Sequence, residues 1–147
     1  MTEAGKTPWH LWVVGIASFF WHCIPVSDYI GFKTKAAWYL EGAGLKPEQI
    51  AWVDAYPIWA DAGWALGVWG AMAGSVLLLA RSRHAVTAFI VSLVGLAIMS
   101  LYQVGMQAAE YQALFGDSIL MFLGFIWIVA IALFLYARAM KAQGVLR

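Results

Sequence analysis

The chain has 147 residues, of which 63% are hydrophobic and 12% are charged, and its mean hydropathy is +0.76. Soluble domains are nearer half apolar and a quarter charged, so this composition excludes an ordinary water-soluble protein and indicates a single membrane domain. The formal net charge of +1 gives no support for nucleic acid as a partner. The single cysteine, Cys23, excludes an internal disulfide and a cysteine-rich metal site.

The first apolar run begins near Trp9 and continues for about 20 residues, which is long enough to cross a membrane. No small-residue cleavage site follows it, so we predict that the run is retained as a membrane span over residues 9–30. Pro25 removes one helical hydrogen bond and is expected to kink the outer half of this span.

The longest connection, residues 31–55, contains Pro47 followed by Glu48. A proline followed by an acidic residue is a helix start signal. We therefore predict a short helix over residues 47–56 that lies on the membrane surface, with Ile50, Trp52 and Val53 dipping into the lipid.

Three further apolar stretches predict spans over residues 57–80, 85–106 and 119–137. Because the turn between the second and third spans is very short, these two helices must be antiparallel neighbours. The sequence thus predicts an all-α membrane protein with one domain over residues 1–147. Its expected architecture is an antiparallel bundle of four transmembrane helices, with a short interfacial helix in the first outer loop.

Basic residues are distributed unevenly between the two ends of the predicted bundle. Of the nine lysines and arginines, only Lys33, Lys35 and Lys46 fall at the end that carries the first loop. The other six fall at the end that holds both termini, and the positive-inside rule places that end in the cytoplasm. We predict a multi-pass protein of a bacterial inner membrane, embedded in the lipid bilayer, with both termini cytoplasmic.

Small residues follow one side of the second span, at 100° per residue. They are Gly63, Gly67, Gly70, Ala71 and Gly74. Small residues at four-residue spacing let two helix backbones approach closely, and helix association in lipid depends on such packing. This seam is expected either to pack within the bundle or to contact a second copy or another subunit of a larger membrane complex.

Polar residues gather at the predicted outer end of the bundle. Gln103, Gln107 and Glu110 are spaced i, i+4, i+7, so an unbroken helix would place them on one face. Asp28 and Asp61 of the first two spans lie at the same level. Together these residues would line an outward-facing pocket for a small ligand of unknown identity, because ligand sites combine apolar walls with a few convergent polar groups. The alternative is a set of hydrated helix ends.

His22 lies one turn before Pro25 and is a further candidate ligand-binding residue. Its imidazole would either titrate or bind a metal, or donate a hydrogen bond to a carbonyl that Pro25 leaves free. His10 and His84 fall at the cytoplasmic end and would have to meet to hold a haem or a metal, but nothing in the sequence fixes their geometry. No metal site and no cofactor is predicted.

The sequence contains no nucleophile elbow, no HExxH motif, no P-loop and no metal-ligand spacing, so a membrane enzyme has no positive support. The first functional hypothesis is a non-enzymatic structural or accessory subunit that acts through helix packing. The alternative is a binder or transporter of a small solute or cation that uses the outer polar pocket. Transport would require a dimer, because four helices are few for alternating access.

Several short motifs of the first three spans and the first loop are distinctive. They are Asp28-Tyr29, Pro47-Glu48-Gln49, Tyr56-Pro57-x-Trp59, Trp64-Ala65-Leu66-Gly67-Val68-Trp69-Gly70, Gly74-Ser75, Leu77-Leu78-Leu79 and Ser92-Leu93-Val94-Gly95-Leu96. In these motifs the chain resembles a family of small bacterial four-span membrane proteins of unknown function, some of them labelled sugar transporters. The resemblance implies the four-span fold and names no chemistry. The chain departs from the family pattern near His22, Pro25 and Asp61, where the family tends to have asparagine, glycine and an apolar residue.

Overall fold

A computed structural model describes residues 6–147, and within this range the regular structure is entirely helical. The helices are α1 (Trp9–Thr34), α2 (Ala37–Gly42), α3 (Pro47–Asp54), α4 (Ile58–Leu79), α5 (Ala85–Ser100), α6 (Ala108–Phe115) and α7 (Ser118–Ala142). A π-helical turn, Leu101–Met106, continues α5. Four helices of the described part are long and apolar enough to cross a membrane, namely α1, α4, α5 with its π-helical turn, and α7. The predicted all-α bundle of four spans is therefore confirmed.

Two of the long helices extend beyond the predicted spans. The helix α1 is continuous through Pro25 and ends only at Thr34, because Lys35 adopts a left-handed conformation with a φ of 52°. The amide of Ala36 then donates to the carbonyl of Gly31 at 3.1 Å, as at many helix ends. The helix α7 continues to Ala142, so its last turns carry basic side chains beyond the apolar run.

The long helices follow one another around the bundle in the order α1, α4, α5, α7. The helices α4 and α5 form the most extensive pair, α1 packs on α4, and α7 packs on α5. The short helices α2, α3 and α6 lie at one end, which we name the loop end. The opposite end, which holds Trp9 and the last residues of the chain, is the termini end.

The close approach of α4 and α5 depends on glycine. A Cβ atom on Gly95 of α5 would lie 2.6 Å from the carbonyl oxygen of Gly63, and one on Gly70 would lie 2.8 Å from the amide nitrogen of Ser92. The hydroxyl of Ser92 also donates to the carbonyl oxygen of Gly67 at 2.8 Å. The helix α5 thus occupies the glycine side of α4, so this seam packs within the bundle and leaves no room there for a second copy.

The C-terminal segment closes the termini end of the bundle. Val145 and Leu146 are buried in the apolar cluster that also contains Leu11 and Leu78. The amide of Arg147 donates to the carbonyl of Arg81 at 2.8 Å, and the amide of Arg83 donates back to Arg147 at 2.9 Å. This pairing holds the last residues against the turn between α4 and α5.

Replacing Gly95 by alanine is expected to lower the free energy of unfolding by about 1–3 kcal/mol, because the added methyl group would push the backbone of α4 away. The measurement is denaturation of the detergent-solubilised protein followed by circular dichroism. Gly124 of α7 is the matched control, since a Cβ there would meet nothing within 4 Å. Gly124→Ala is expected to be neutral or stabilising by up to about 1 kcal/mol. Equal losses in both variants would mean that helix approach does not depend on Gly95.

Candidate functional site

A cavity of about 370 Å³ lies among the four long helices and extends from their middle to the loop end. Its wall is mainly apolar. The polar side chains that line it are His22, Asp28, Tyr39, Tyr56, Ser92, Gln103 and Tyr111. Its size falls within the range of sites that bind small molecules.

Aromatic side chains cover the loop end of this cavity. Trp52 of α3 stacks on Tyr111 of α6 at 5.4 Å between ring centroids, and it meets Tyr56 edge-on at 5.0 Å. The sequence predicts that Trp52 and Val53 dip into the lipid, but Trp52 is only 6% exposed beneath these rings, and Val53 is buried and lines the cavity. Trp52 therefore supports Tyr111 and Tyr56, which both line the cavity.

The tyrosines of the cover are uncharged at neutral pH. Burial raises the pKa of Tyr111 to about 12 and raises the pKa of Tyr56 well above its usual value, because a phenolate would lose its hydration. The hydroxyl of Tyr56 accepts a hydrogen bond from Nε2 of Gln103 at 3.3 Å. Gln103 and Tyr56 thus present one linked pair of neutral polar groups to the cavity.

Asp28 presents a carboxyl group to the cavity from α1. The hydroxyl of Tyr39 donates to its Oδ1 atom at 2.9 Å. Tyr39 reaches Asp28 because its ring lies over Gly31, where a Cβ atom would come within 2.8 Å of the Cβ of Tyr39. Burial raises the pKa of Tyr39, and the hydrogen bond and charge of Asp28 raise it further, so the phenol keeps the proton that it donates.

Both lysines that flank the end of α1 already have acidic partners. Lys33 forms an ion pair with Asp61 in the first turn of α4, and Lys35 forms one with Asp54 at the end of α3. Across residues 6–147, no lysine or arginine comes within ion-pair distance of Asp28. Asp28 is therefore a cavity carboxyl group to which residues 6–147 supply no countercharge.

His22 lies deeper in the membrane on the cavity wall. Its Nδ1 atom is 2.8 Å from the hydroxyl oxygen of Ser75, and both side chains are buried. The partner of His22 is thus a side chain of α4 and not a carbonyl freed by Pro25, although Pro25 also lines the cavity. The described part of the chain holds no group of three histidine, cysteine or acidic residues that could bind a metal ion.

The other two histidines lie at the termini end of the bundle. Nδ1 of His10 lies 2.6 Å from the hydroxyl of Tyr136, a contact that joins α1 to α7 at the termini end. His84 precedes α5 and is exposed. His10 therefore serves as a link between helices.

The predicted shared face of Gln103, Gln107 and Glu110 does not form. The π-helical turn changes the residue spacing after Ser100, and Gln107 leaves helical geometry with a φ of −125°. Of the three side chains only Gln103 lines the cavity, while Glu110 is exposed in α6.

The structure brings together three of the six predicted ligand-binding residues. His22, Asp28 and Gln103 line the cavity, whereas Asp61, Gln107 and Glu110 lie outside its wall. The sequence alone does not single out Tyr39, Tyr56 or Ser92. Tyrosines near span ends are ordinary membrane-interface residues, so their identity carries no signal of a site.

The cavity opens sideways between α1 and α7. Ile24 of α1 and Phe122 of α7 both line it, yet they are 59% and 52% exposed on the apolar outer surface. Nearer the termini end, Trp21 and Phe125 meet edge-on at 5.6 Å and bridge the two helices. A second crevice of about 350 Å³ follows between the same helices, and Trp21 and Val129 line both spaces. The bundle is thus least closed along its α1–α7 side.

No family model, no curated protein and no solved structure matches the chain. The resemblance to a family of four-span proteins therefore stays a prediction that rests on the motifs. Function has to be inferred from the cavity itself.

Replacing Ser75 by alanine is expected to destabilise the protein by about 1–3 kcal/mol, because it leaves Nδ1 of His22 buried without a partner. Thermal unfolding of the purified protein in detergent measures this loss. Ser27→Ala is the control, since Ser27 is exposed and bonds only to the carbonyl of Cys23 in its own helix. Its effect should stay within about 0.5 kcal/mol of zero. If Ser75→Ala unfolds no earlier than Ser27→Ala, the hydrogen bond to His22 does not stabilise the bundle.

Proposed function

We propose that this integral membrane protein binds a small molecule with a largely apolar body in the cavity among its four long helices. The observation that carries the proposal is the space of about 370 Å³ among the four long helices of a bundle whose α4–α5 pair is packed to backbone contact. Protein interiors leave few voids larger than a water molecule. A molecule bound there would gain many van der Waals contacts with the apolar wall, which are small one by one and large together.

The distribution of polar groups gives the bound molecule a direction. Asp28 with Tyr39, and Gln103 with Tyr56, lie toward the loop end, whereas Leu96, Ile126 and similar apolar side chains line much of the remaining wall. A polar group of the ligand would thus point toward the loop end and its apolar body toward the bilayer centre. A sugar fits this wall poorly, because most of its hydroxyl groups would lose their hydration without gaining partners.

The glycine side of α4 adds no support to the accessory-subunit hypothesis. The small residues Gly63, Gly67, Gly70 and Gly74 face α5 of the same chain, so they offer no seam to another subunit. Helix packing alone gives the cavity no role, whereas ligand binding gives it one. The proposed function is the binding of a small molecule, without a transport step.

The charge distribution supports an orientation in a bacterial inner membrane with both termini in the cytoplasm. The termini end carries two thirds of the lysines and arginines, and the loop end carries nearly all of the acids. Lys33 and Lys35 of the loop end are in addition held in ion pairs with Asp61 and Asp54. In this orientation the aromatic cover of the cavity lies on the outer side of the membrane.

Filling the cavity should abolish binding. The probe is 1-naphthylmethanol, measured by equilibrium dialysis against the protein in phosphatidylcholine nanodiscs, with protein-free nanodiscs subtracted as the lipid blank. Ala130→Phe places a ring inside the cavity and is expected to lower the affinity at least about tenfold, the equivalent of ~1.4 kcal/mol.

Ala132→Phe is the matched control, because Ala132 lies on the exposed side of the same helix, outside the cavity wall. It should bind the probe as the unmodified protein does. The proposal is wrong if the unmodified protein takes up no more probe than empty nanodiscs, or if both phenylalanine variants bind equally well.

The proposed orientation can be tested by cysteine labelling in a Cys23→Ser background. In spheroplasts of the bacterial expression host, a membrane-impermeant maleimide should label Ala43→Cys, which is exposed at the loop end. It should label Ala142→Cys, exposed at the termini end, only after the membrane is permeabilised. The reverse pattern would show that the termini face outward.

A further inference from the structure

We propose that the bound molecule is an organic cation, with a single ammonium group on an apolar body, and that its charge pairs with Asp28. This inference rests on the proposed function, since it names the class of molecule that the cavity takes. It is carried by three features of the wall: its charge, its aromatic rings and its depth.

Asp28 gives the cavity its charge. Among the residues that the structure describes, it is the only acidic side chain on the wall, and no lysine or arginine lines it. Tyr39 donates to Oδ1, while Oδ2 receives no hydrogen bond from residues 6–147. A carboxylate in such surroundings is costly unless a positive charge compensates it. Since Lys33 and Lys35 are held by other acids, a cationic ligand would supply that positive charge.

Aromatic rings line the same cavity as the carboxyl group. Phe32 and Tyr39 meet edge-on at 5.5 Å, and both line the cavity. Trp64 also lines it and meets Phe32 at 5.9 Å, but Nζ of Lys33 already lies 5.8 Å from the centroid of the Trp64 ring. The face of an aromatic ring attracts a cation, most strongly where water is excluded. A neutral alcohol gains much less from these faces, and an anion would be repelled by Asp28. The rings and the carboxylate therefore favour the same charge.

The depth of the cavity sets the shape of the molecule. His22 and Asp28 both line it and are six residues apart in α1, which corresponds to about 9 Å along the helix axis. Between and beyond them the wall is mainly apolar. Nδ1 of His22 already has Ser75 as its partner, so the ligand needs no second charged group at the inner end of the cavity. A one- or two-ring body fills this depth, and such a molecule can also reach the sideways opening at Ile24 and Phe122 from the lipid.

The test compares 1-naphthylmethylammonium with 1-naphthylmethanol, which differ essentially in charge, by equilibrium dialysis in nanodiscs of net-neutral phosphatidylcholine at pH 7. The unmodified protein is expected to bind the ammonium at least about tenfold more tightly than the alcohol. Asp28→Asn keeps a hydrogen-bond acceptor for Tyr39 and removes the charge. It should abolish this preference and leave the affinity for the alcohol within about twofold.

A further variant separates the charge of Asp28 from that of other acids at the loop end. Glu110→Gln removes an exposed acid that lies outside the cavity wall and forms no ion pair with residues 6–147, so the preference for the ammonium should stay unchanged. Size-exclusion chromatography and circular dichroism establish that each variant is folded.

The outcomes distinguish this inference from the proposed function. If the unmodified protein binds both probes equally, or if the preference survives in Asp28→Asn, the cation inference is overturned while binding in the cavity stands. If neither probe binds above the nanodisc blank, the proposed function fails with it. The comparison of the two probes in the unmodified protein decides the question even if Asp28→Asn does not fold.

Discussion

The bundle depends on the contact between α4 and α5, where two backbones meet without side chains between them. In lipid no hydrophobic force drives helices together, so association relies on close packing and on hydrogen bonds between helices. Gly63 and Gly67 provide the space for Gly95, and Ser92 adds a hydrogen bond to the carbonyl of Gly67. This pair acts as the central wall of the bundle, and α1 and α7 pack against it from the α4 and α5 sides respectively.

The cavity follows from this arrangement. Because α1 is held by α4 and α7 by α5, the two outer helices meet mainly through long side chains. His10 bonds Tyr136 at the termini end, and Trp21 meets Phe125 near the middle. Toward the loop end no comparable bridge is present in the described part of the chain, and Ile24 lies beside the open space. The tightness of one helix pair and the gap on the opposite side of the bundle are thus two consequences of the same packing.

Features that depend on composition and regular spacing could be predicted from the sequence. The four apolar runs indicate the spans, and the spacing of Gly63, Gly67, Gly70 and Gly74 gives the packing side of α4. The π-helical turn Leu101–Met106 could not be predicted, since the local sequence is compatible with both an α-helix and a π-helix. That turn decides which glutamine faces the cavity, so the site was predictable only in part.

The ion pairs that the acids form could not be predicted from the sequence pattern either. These pairs determine which acid is left without a countercharge. Asp28 and Lys33 belong to the same helix, five residues apart, which places their side chains about 140° apart around the axis. Lys33 therefore reaches across to Asp61 of α4 and not back to Asp28. A cation is close along the chain, but helix geometry directs it to the acid outside the cavity. Among the residues that the structure describes, Asp28 is the one acid that faces the cavity, and its hydrogen-bond partner is Tyr39, a neutral donor. An acid without a countercharge from residues 6–147 therefore lies beside the open space of the bundle.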